Sequence, residues 1–207
     1  MSLFITFEGL DGAGKSTQIE RVSQRLHKIG KSVVVTREPG GTEIGDALRS
    51  LLLNPNQRNL APETEVLLYA ASRGQLLHEI IRPALREGKW VICDRYVDAS
   101  LAYQGAGLQI GVEPVYTINQ YATSGLQPDL TFLFDVPVEV GLGRVQSIRS
   151  GEAMDRIERR GAEYFTRVRN EFLRIAKDNP SRVVVIDATR SPDDLEQEIW
   201  GKLEKHL

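Results

Sequence analysis

The chain has 207 residues, of which 41% are hydrophobic and 26% are charged. This composition supplies enough apolar side chains for a buried core and excludes a disordered chain. The formal net charge of −2 excludes a general electrostatic attraction to nucleic acid or to an anionic membrane, so we expect neither as a partner.

The first half of the chain alternates short apolar runs with helical patterns. Residues 3–7 are predicted to form a strand, and a helix is predicted to run from Lys15 to Gly30, where the apolar spacing follows the helical period. A second strand is predicted at residues 32–36, and Thr42 is a predicted N-cap for a helix that ends at residue 53. Residues 62–88 are predicted to form one long helix that begins with proline and is kinked or broken at Pro83.

Three further apolar runs complete the predicted sheet, at residues 90–94, 129–136 and 182–188. Near-continuous apolar strands separated by helices are typical of a parallel sheet covered on both faces. We therefore predict a doubly wound α/β fold with a parallel five-stranded sheet flanked by helices, as a single domain over residues 1–207. No apolar run is long enough to span a bilayer, the N-terminus runs directly into a strand, and the one cysteine excludes an internal disulfide. These features lead us to expect a cytoplasmic protein.

The turn after the first strand reads FEGLDGAGKST, and its Gly9-x4-Gly14-Lys15-Ser16 spacing fits a P-loop between a strand and a helix. Glycine leaves room for backbone N–H groups to approach a polyphosphate, and the helix that follows adds its positive end. Lys15 is expected to reach the β- and γ-phosphates of a nucleoside triphosphate, and the Ser16 hydroxyl is expected to bind Mg²⁺. The predicted triphosphate-binding residues are Gly9, Asp11, Gly12, Ala13, Gly14, Lys15, Ser16 and Thr17.

Two charged residues stand at the end of the predicted strand at residues 90–94. Asp94 can place a carboxylate near the metal ion, and Arg95 offers a planar guanidinium for phosphoryl oxygens. The alternative is a structural ion pair between these two residues. Asp11 is either a plain turn residue or a ligand for a sugar hydroxyl or a hydrated metal ion, because a carboxylate beside a triphosphate is otherwise electrostatically unfavourable.

Arginines are concentrated in the segment at residues 145–161, at Arg149, Arg156, Arg159 and Arg160. One interpretation is a solvated helix face, on which nearby acidic residues pair with these arginines. The other is a mobile lid that places an arginine on the transferring phosphoryl group and excludes water. We favour the lid, with Arg149 as the first candidate and Arg156 as the second.

Six motifs, which together cover nearly the whole chain, resemble those of bacterial thymidylate kinases: FEGLDGAGKST, REPGGT, YAASRGQ, DRYVDASLAYQG, QPDLTFLFDVP and DRIERRGAEYF. The first motif alone indicates only a P-loop kinase, whereas REPGGT with DRYVDASLAYQG is much more specific. The resemblance implies a P-loop kinase fold and Mg²⁺-dependent transfer of a phosphoryl group from ATP to dTMP, giving dTDP for dTTP synthesis. It also implies a homodimer.

The resemblance assigns the base pocket residue by residue. Tyr69 would stack on the thymine, and Arg73 would hydrogen-bond the carbonyl edge of the base. Ser100 and Gln104 would lie near the base, and Tyr103 would occupy the space that a 2′-hydroxyl needs.

The resemblance also assigns the reaction centre. Arg49 and Arg95 would hold the monophosphate, Glu38 would line the pocket, and Asp11 would contact the deoxyribose side. Together with the residue-level reasoning, this gives as candidate catalytic residues Lys15, Arg95, Arg149, Asp11 and Arg156. The candidate metal ligands are Ser16 and Asp94.

Gly12 separates two types within the family, because some members carry arginine at its position. The bacterial type that this chain resembles has glycine there and arginines in the lid. A kinase for another monophosphate, such as UMP, CMP or AMP, remains the nearest alternative, since only the base pocket would differ. A GTP-dependent switch would need a base-reading motif of the Asn-Lys-x-Asp type after a strand, and neither LFDVP nor IDATRSP supplies it.

Overall fold

The computed structural model describes residues 2–57, 59–148 and 154–207. Within these residues, one sheet contains five strands in the order β2-β3-β1-β4-β5, and all of its pairings are parallel. The strands are β1 (Phe4–Gly9), β2 (Val33–Arg37), β3 (Trp90–Asp94), β4 (Leu130–Asp135) and β5 (Val183–Asp187). The predicted doubly wound α/β class is confirmed, and each strand lies within two residues of its predicted bounds.

Helices connect the strands and cover both faces of the sheet. They are α1 (Lys15–Lys28), α2 (Glu43–Leu53), α3 (Pro62–Leu76), α4 (Arg82–Arg86), α5 (Val97–Ser100), α6 (Val112–Thr123), α7 (Val138–Ile148), α8 (Ala162–Asp178) and α9 (Pro192–Leu203). The predicted N-cap of α2 is confirmed, because the Thr42 side chain accepts a hydrogen bond of 3.0 Å from the backbone N–H of Gly45. In the part of the chain that the structure describes, no helix is both long and apolar enough to cross a membrane.

The long helix predicted at residues 62–88 is divided into three parts. A π-helical segment, Leu77–Ile81, separates α3 from α4, and Pro83 is the second residue of α4. A proline ring cannot donate to the preceding turn and clashes with it in a regular α-helix, and a widened π turn accommodates both effects. A second π-helical segment, Leu101–Gly107, continues α5 and carries two of the residues assigned to the base pocket.

The burial and register of the central strands determine at which edge of the sheet the P-loop and Asp94 lie. All six residues of β1 are buried, as are five of the six in β4, because helices cover these central strands on both sides. Phe7 stacks on Phe134, with 5.7 Å between ring centroids. The register pairs Phe7 with Asp94 and Gly9 with Phe134, so the P-loop and Asp94 leave the sheet at the same edge. Ligands of doubly wound folds bind at this carboxyl edge.

Candidate active site

Glycines shape the loop between β1 and α1. The φ angles of Gly9, Gly12 and Gly14 are +126°, +76° and +89°, a region that side-chain-bearing residues rarely adopt. A Cβ atom on Gly9 would also clash with the carbonyl oxygen of Phe134, and one on Gly12 with that of Gly141. The loop therefore needs glycine for its backbone conformation and, at two positions, for its close approach to neighbouring backbone.

Lys15 begins α1 and folds back over the loop. Its Nζ donates hydrogen bonds to the carbonyl oxygens of Leu10 at 2.9 Å and Gly9 at 3.3 Å. Burial lowers the pKa of Lys15, and the nearby charge of Arg95 lowers it further, while the carboxylates of Asp94 and Asp11 oppose the change. Two neutral carbonyls are weak partners for an ammonium group, so a phosphate anion would be a stronger one.

The P-loop opens into a large crevice with a volume of about 950 Å³. Of the predicted triphosphate-binding residues, Asp11, Gly12, Gly14, Lys15, Ser16 and Thr17 line it. Ala13 instead packs into the hydrophobic core, and Gly9 contributes its carbonyl oxygen to Lys15 and Arg95. Glu139, Val140, Gly143 and Arg144 of α7 form part of the opposite wall.

Arg95 follows β3 in a left-handed backbone conformation, with φ of +72°, which turns its side chain into the crevice. Its Nη1 donates to the carbonyl oxygen of Gly9 at 2.8 Å, and its Nη2 donates to Oδ1 of Asp11 at 2.7 Å. Burial by itself would lower the pKa of Arg95, but the carboxylate of Asp11 and other nearby acidic groups raise it. The observed ion pair therefore joins Arg95 to Asp11, and the alternative pairing of Arg95 with Asp94 is not the one that forms.

Asp94 and Ser16 offer oxygen ligands for a magnesium ion in the same crevice. Within the described residues, Oδ1 of Asp94 is buried without a hydrogen-bond partner, and the exposed Ser16 lines the same crevice. Oxygen ligands of this kind suit Mg²⁺, which usually takes one or two protein ligands and completes its shell with phosphate oxygens and water. No group of three or more His, Cys, Asp or Glu side chains in residues 2–57, 59–148 and 154–207 forms a metal site by itself.

A second cavity adjoins the crevice. All eight residues assigned to dTMP line it, namely Glu38, Arg49, Tyr69, Arg73, Arg95, Ser100, Tyr103 and Gln104. The cavity has a volume of about 90 Å³. Asp11, Glu38, Arg49 and Arg95 line both cavities, so these residues form the wall where the two meet.

Three arginines lie at or beside the shared wall. Arg37 and Arg49 line the crevice together with Arg95. Burial lowers the pKa of Arg49, and the charge of Arg37 lowers it further, with a smaller effect from Arg95. Like charges held this close are unfavourable alone and favourable around a bound anion, so this wall is suited to a phosphate group.

Arg73 is anchored by the protein itself. It is almost fully buried, and its four hydrogen bonds go to Oε2 of Glu38, Oγ of Ser100, Oδ1 of Asn119 and the carbonyl oxygen of Tyr96. A guanidinium has five N–H groups, and the fifth, on Nη2, also faces Oε2 of Glu38, so the protein itself engages all five. Because the Ser100 hydroxyl accepts from Arg73, it retains its own proton to donate.

Glu38 balances this buried arginine with a single oxygen. Its Oε2 lies 2.6 Å from Nε and 2.5 Å from Nη2 of Arg73. Its Oε1 is buried and has no hydrogen-bond partner in the described part of the chain. Burial raises the pKa of Glu38 to about 7, and the charge of Arg73 only partly opposes this.

Gln104 lies in the second π-helical segment, and its side chain is hydrogen-bonded to α3. Its Nε2 donates to Oε1 of Glu65 at 2.9 Å. An ionised carboxylate only accepts hydrogen bonds, so this contact fixes which end of the Gln104 amide is the donor. The amide oxygen of Gln104 is then the group left to face other partners.

The predicted lid segment is only partly described. Arg149, the first candidate for the catalytic arginine, lies outside the described residues. Arg156 is held away from the crevice: its Nη1 lies 2.7 Å from Oε2 of Glu65, and its Nε donates to the carbonyl oxygen of Leu52 at 2.8 Å. Arg160 also pairs with Glu65, at 2.6 Å. Arg156 and Arg160 therefore both pair with Glu65 of α3.

Sequence reasoning missed four residues of the site, Arg37, Glu65, Asn119 and Arg144. Arg144 of α7 donates to the carbonyl oxygens of Gly12 at 3.3 Å and Ala188 at 3.0 Å, and so joins the P-loop to the turn after β5. Arg37 stands directly before the predicted pocket residue Glu38, and its charge was an available signal. Asn119 and Glu65 carry no such signal, because each is an ordinary polar residue in a helical pattern.

A P-loop at the carboxyl edge of a parallel sheet, a second cavity beside it, and Arg49 and Arg95 at the wall between them define a P-loop phosphotransferase with adjoining donor and acceptor sites. The family model for thymidylate kinase matches residues 7–199. The chain belongs to the thymidylate kinase family.

Named relatives and a solved structure agree with this placement. The thymidylate kinase of Lactobacillus helveticus is 46% identical over 205 residues, which cover 99% of this chain and 96% of the relative. That of Enterococcus faecalis is 49% identical, covering 91% of this chain and 89% of the relative. The crystal structure of thymidylate kinase from Ehrlichia chaffeensis is similar with a TM-score of 0.79 and 35% identity, over 98% of each chain.

Proposed function

We propose that the chain transfers the γ-phosphoryl group of ATP to dTMP, giving dTDP and ADP in the synthesis of dTTP. The observation that carries this proposal is the wall shared by the two cavities, where Asp11, Glu38, Arg49 and Arg95 face both. A donor and an acceptor that enter from opposite sides would meet at this wall. The relatives named thymidylate kinase support thymidylate as the acceptor.

The P-loop side is the proposed ATP site. Backbone N–H groups of the loop from Gly9 to Thr17 would hold the phosphates, and Lys15 would exchange its two carbonyl partners for phosphate oxygens. This exchange places a fixed positive charge where negative charge moves during transfer, which stabilises the transition state. Asp94 and Ser16 would hold Mg²⁺, and the ion, when bound, neutralises charge on the phosphate oxygens.

The second cavity is the proposed dTMP site. Tyr69 would stack on the thymine ring, and Gln104, with its amide oxygen available, would accept from the imide N–H of the base. Ser100 can donate to a base carbonyl, and Arg73 would reach one only by giving up part of a contact with Glu38 or Tyr96. Tyr103 would close the sugar side of the cavity against a 2′-hydroxyl.

The acceptor phosphate would lie against Arg49 and Arg95. Arg95 would then change partner from Asp11 to a phosphate oxygen, leaving Asp11 to contact the deoxyribose side. A phosphate monoester is already ionised at neutral pH, so no strong general base is required. Alignment of the two phosphates and neutralisation of their charge carry the rate enhancement in this mechanism.

We also propose that residues 1–207 form one domain in which the segment at 145–161 closes as a lid. Arg149, or Arg156 after it leaves Glu65, would supply the remaining positive charge. We propose a homodimer, because Ile44 and Leu51 of α2 and Leu67 of α3 are exposed on two helices that pack together. A cytoplasmic location is proposed from the ATP requirement and the buried, unpaired Cys93.

A panel of monophosphates assayed with ATP and Mg²⁺ tests the assignment, with ADP formation as the measurement. We expect dTMP to have the highest kcat/KM, dUMP to be weaker by roughly ten- to a hundredfold because it lacks the methyl group, and dCMP to be nearly inert. UMP is expected to fall below dUMP because of Tyr103. A preference for UMP, CMP or AMP over dTMP would overturn the substrate and leave the P-loop kinase intact.

A further inference from the structure

Glu65 of α3 is a buried carboxylate that no step of the proposed reaction uses. Its exposed fraction is 1%, and both of its oxygens are occupied. Oε1 accepts from Gln104 at 2.9 Å and from Arg160 at 3.3 Å, and Oε2 accepts from Arg160 at 2.6 Å and lies 2.7 Å from Nη1 of Arg156. Burial by itself would raise the pKa of Glu65, but the hydrogen bonds from Arg160 and Gln104 and the nearby arginine charges lower it, so the carboxylate is ionised at neutral pH.

An ionised Glu65 imposes one orientation on the Gln104 side chain. An amide can present either its oxygen or its NH₂ group, and the two ends have nearly the same shape. Rotating Gln104 by half a turn would point its oxygen at the carboxylate oxygen of Glu65, a repulsive contact in a buried place. The acceptor that Gln104 offers to the second cavity is therefore its amide oxygen, the end turned away from Glu65.

This orientation distinguishes two kinds of pyrimidine. At ring position 3, thymine and uracil carry an N–H donor, whereas cytosine carries an unprotonated nitrogen, which is an acceptor. The amide oxygen of Gln104 pairs with the first kind and is opposed by the second. A buried acceptor facing another acceptor loses a hydrogen bond and stays desolvated, which is the basis of strong discrimination in polar pockets.

We propose that Glu65 is a positioning residue for base selection, which acts by fixing the Gln104 amide so that its oxygen reads the N–H of a thymine or uracil ring. This inference rests on the proposed dTMP kinase activity. The same carboxylate also pairs with Arg156 and Arg160. Glu65 therefore contacts both the base of the lid segment and Gln104, the residue that recognises the pyrimidine.

The test is the substitution Glu65→Gln, which keeps the shape of the side chain and allows position 65 to donate as well as accept. Gln104 can then adopt both orientations. We expect the ratio of kcat/KM for dTMP to that for dCMP to fall by about tenfold or more, the loss of one discriminating hydrogen bond. The ratio for dTMP over dUMP is expected to stay unchanged, because it depends on the methyl group. Glu63→Gln, an exposed residue of the same helix, is the matched control and should alter neither ratio.

A second variant separates an effect through Gln104 from a general loosening of the pocket. In a Gln104→Met background, adding Glu65→Gln should leave the dTMP to dCMP ratio where Gln104→Met alone sets it. If the wild-type enzyme prefers dTMP and Glu65→Gln retains the full ratio, the positioning role is wrong and the proposed function stands. If the wild-type enzyme does not phosphorylate dTMP, the proposed function itself fails.

If Glu65→Gln does not fold, the wild-type protein supplies the measurement. The side-chain NH₂ resonance of Gln104, identified by its loss in Gln104→Met, reports the hydrogen bond to Glu65. We expect this resonance to keep its chemical shift and slow hydrogen exchange when dTMP binds, since the oxygen end alone meets the base. A large shift with faster exchange would show that the NH₂ group turns to the ligand, and would overturn the proposal.

Discussion

The ammonium group of Lys15 donates to the carbonyl oxygen of Leu10 at 2.9 Å, within the loop that the triphosphate would occupy. The charge is thus held in place by backbone oxygens before any nucleotide arrives. Lys15→Ala removes a preorganised charge that would follow the γ-phosphate, and kcat is expected to fall by at least about a hundredfold. Steady-state kinetics with ATP and dTMP measure the effect, and Lys28→Ala at the exposed end of α1 should retain activity. Near-normal turnover by a folded Lys15→Ala protein would contradict the proposed role of Lys15 in transition-state stabilisation.

The proposed catalytic role of a lid arginine is tested by single substitutions. Because Gly12 leaves the P-loop without an arginine, Arg149→Ala is expected to lower kcat by about a hundredfold while KM for dTMP changes little, since the contact would form mainly in the transition state. Arg156→Ala should lower kcat too if Arg156 leaves Glu65 during closure. Arg159→Ala removes an exposed guanidinium from the same segment and serves as the control.

The double variant Arg149→Ala, Arg156→Ala tests whether either arginine of the lid segment supplies the transition-state charge. If it keeps the wild-type kcat, the transition-state charge comes from elsewhere, and Arg95 becomes the candidate. Arg95 already lies at the wall between the two cavities.

The environment of Glu8 leads us to expect that the free energy of unfolding depends on pH. Its carboxyl group is fully buried in β1, and burial, assisted by the charge of Asp98, raises its pKa from 4.5 to about 8. The folded state therefore favours the protonated form, and the stability that Glu8 contributes is complete below pH 4.5 and is lost as the pH rises towards 8. Glu8→Gln cannot ionise, so the free energy of unfolding of the wild type should fall relative to this variant between these pH values, by on the order of a few kcal/mol.

Urea unfolding of both proteins across this pH range measures the difference directly. The raised pKa of Glu38 affects both proteins equally and cancels. Glu20→Gln, at an exposed position of α1, should follow the wild type. Parallel stability curves for wild type and Glu8→Gln would show that Glu8 ionises as easily in the folded protein as in the unfolded chain.

Gly12 combines a left-handed backbone with a close contact to the start of α7. Gly12→Ala would place a Cβ atom against the carbonyl oxygen of Gly141 at a φ of +76°, so we expect a loss of roughly 1–3 kcal/mol in unfolding free energy and weaker ATP binding. Gly201→Ala, in a helix with open space around the new methyl group, should instead stabilise the protein by about 0.5–1 kcal/mol. Thermal unfolding and titration with ATP measure both effects, and an unchanged Gly12→Ala protein would contradict the packing argument.

The sequence predicts the sheet well because each strand is an apolar run with a polar end. The division of residues 62–88 could not be predicted, since a π turn changes the spacing of a helix without demanding a residue type. The eight residues that the family resemblance assigns to dTMP line one cavity, and spacing alone does not place Arg73 next to Ser100. Their individual roles stay predictions.

The site residues that the sequence does not predict are those whose role depends on neighbours from other elements. Glu65 looks like a solvent-facing helix residue, and it is buried only because the second π-helical segment and the base of the lid converge on α3. Asn119 likewise becomes a partner of Arg73 only once α6 packs against α3. Local patterns describe a residue's own element, and these contacts arise between elements.

The central position of β1 has a consequence for the order of events during synthesis. This strand is made first, yet its partners are residues 91–94 of β3 and residues 130–134 of β4. At roughly 5–20 residues per second on the ribosome, the apolar run FITF waits on the order of ten seconds for its second neighbour. In nascent chains that end before β4, one edge of β1 is therefore exposed. At this stage of synthesis, a chaperone that binds apolar segments could bind β1.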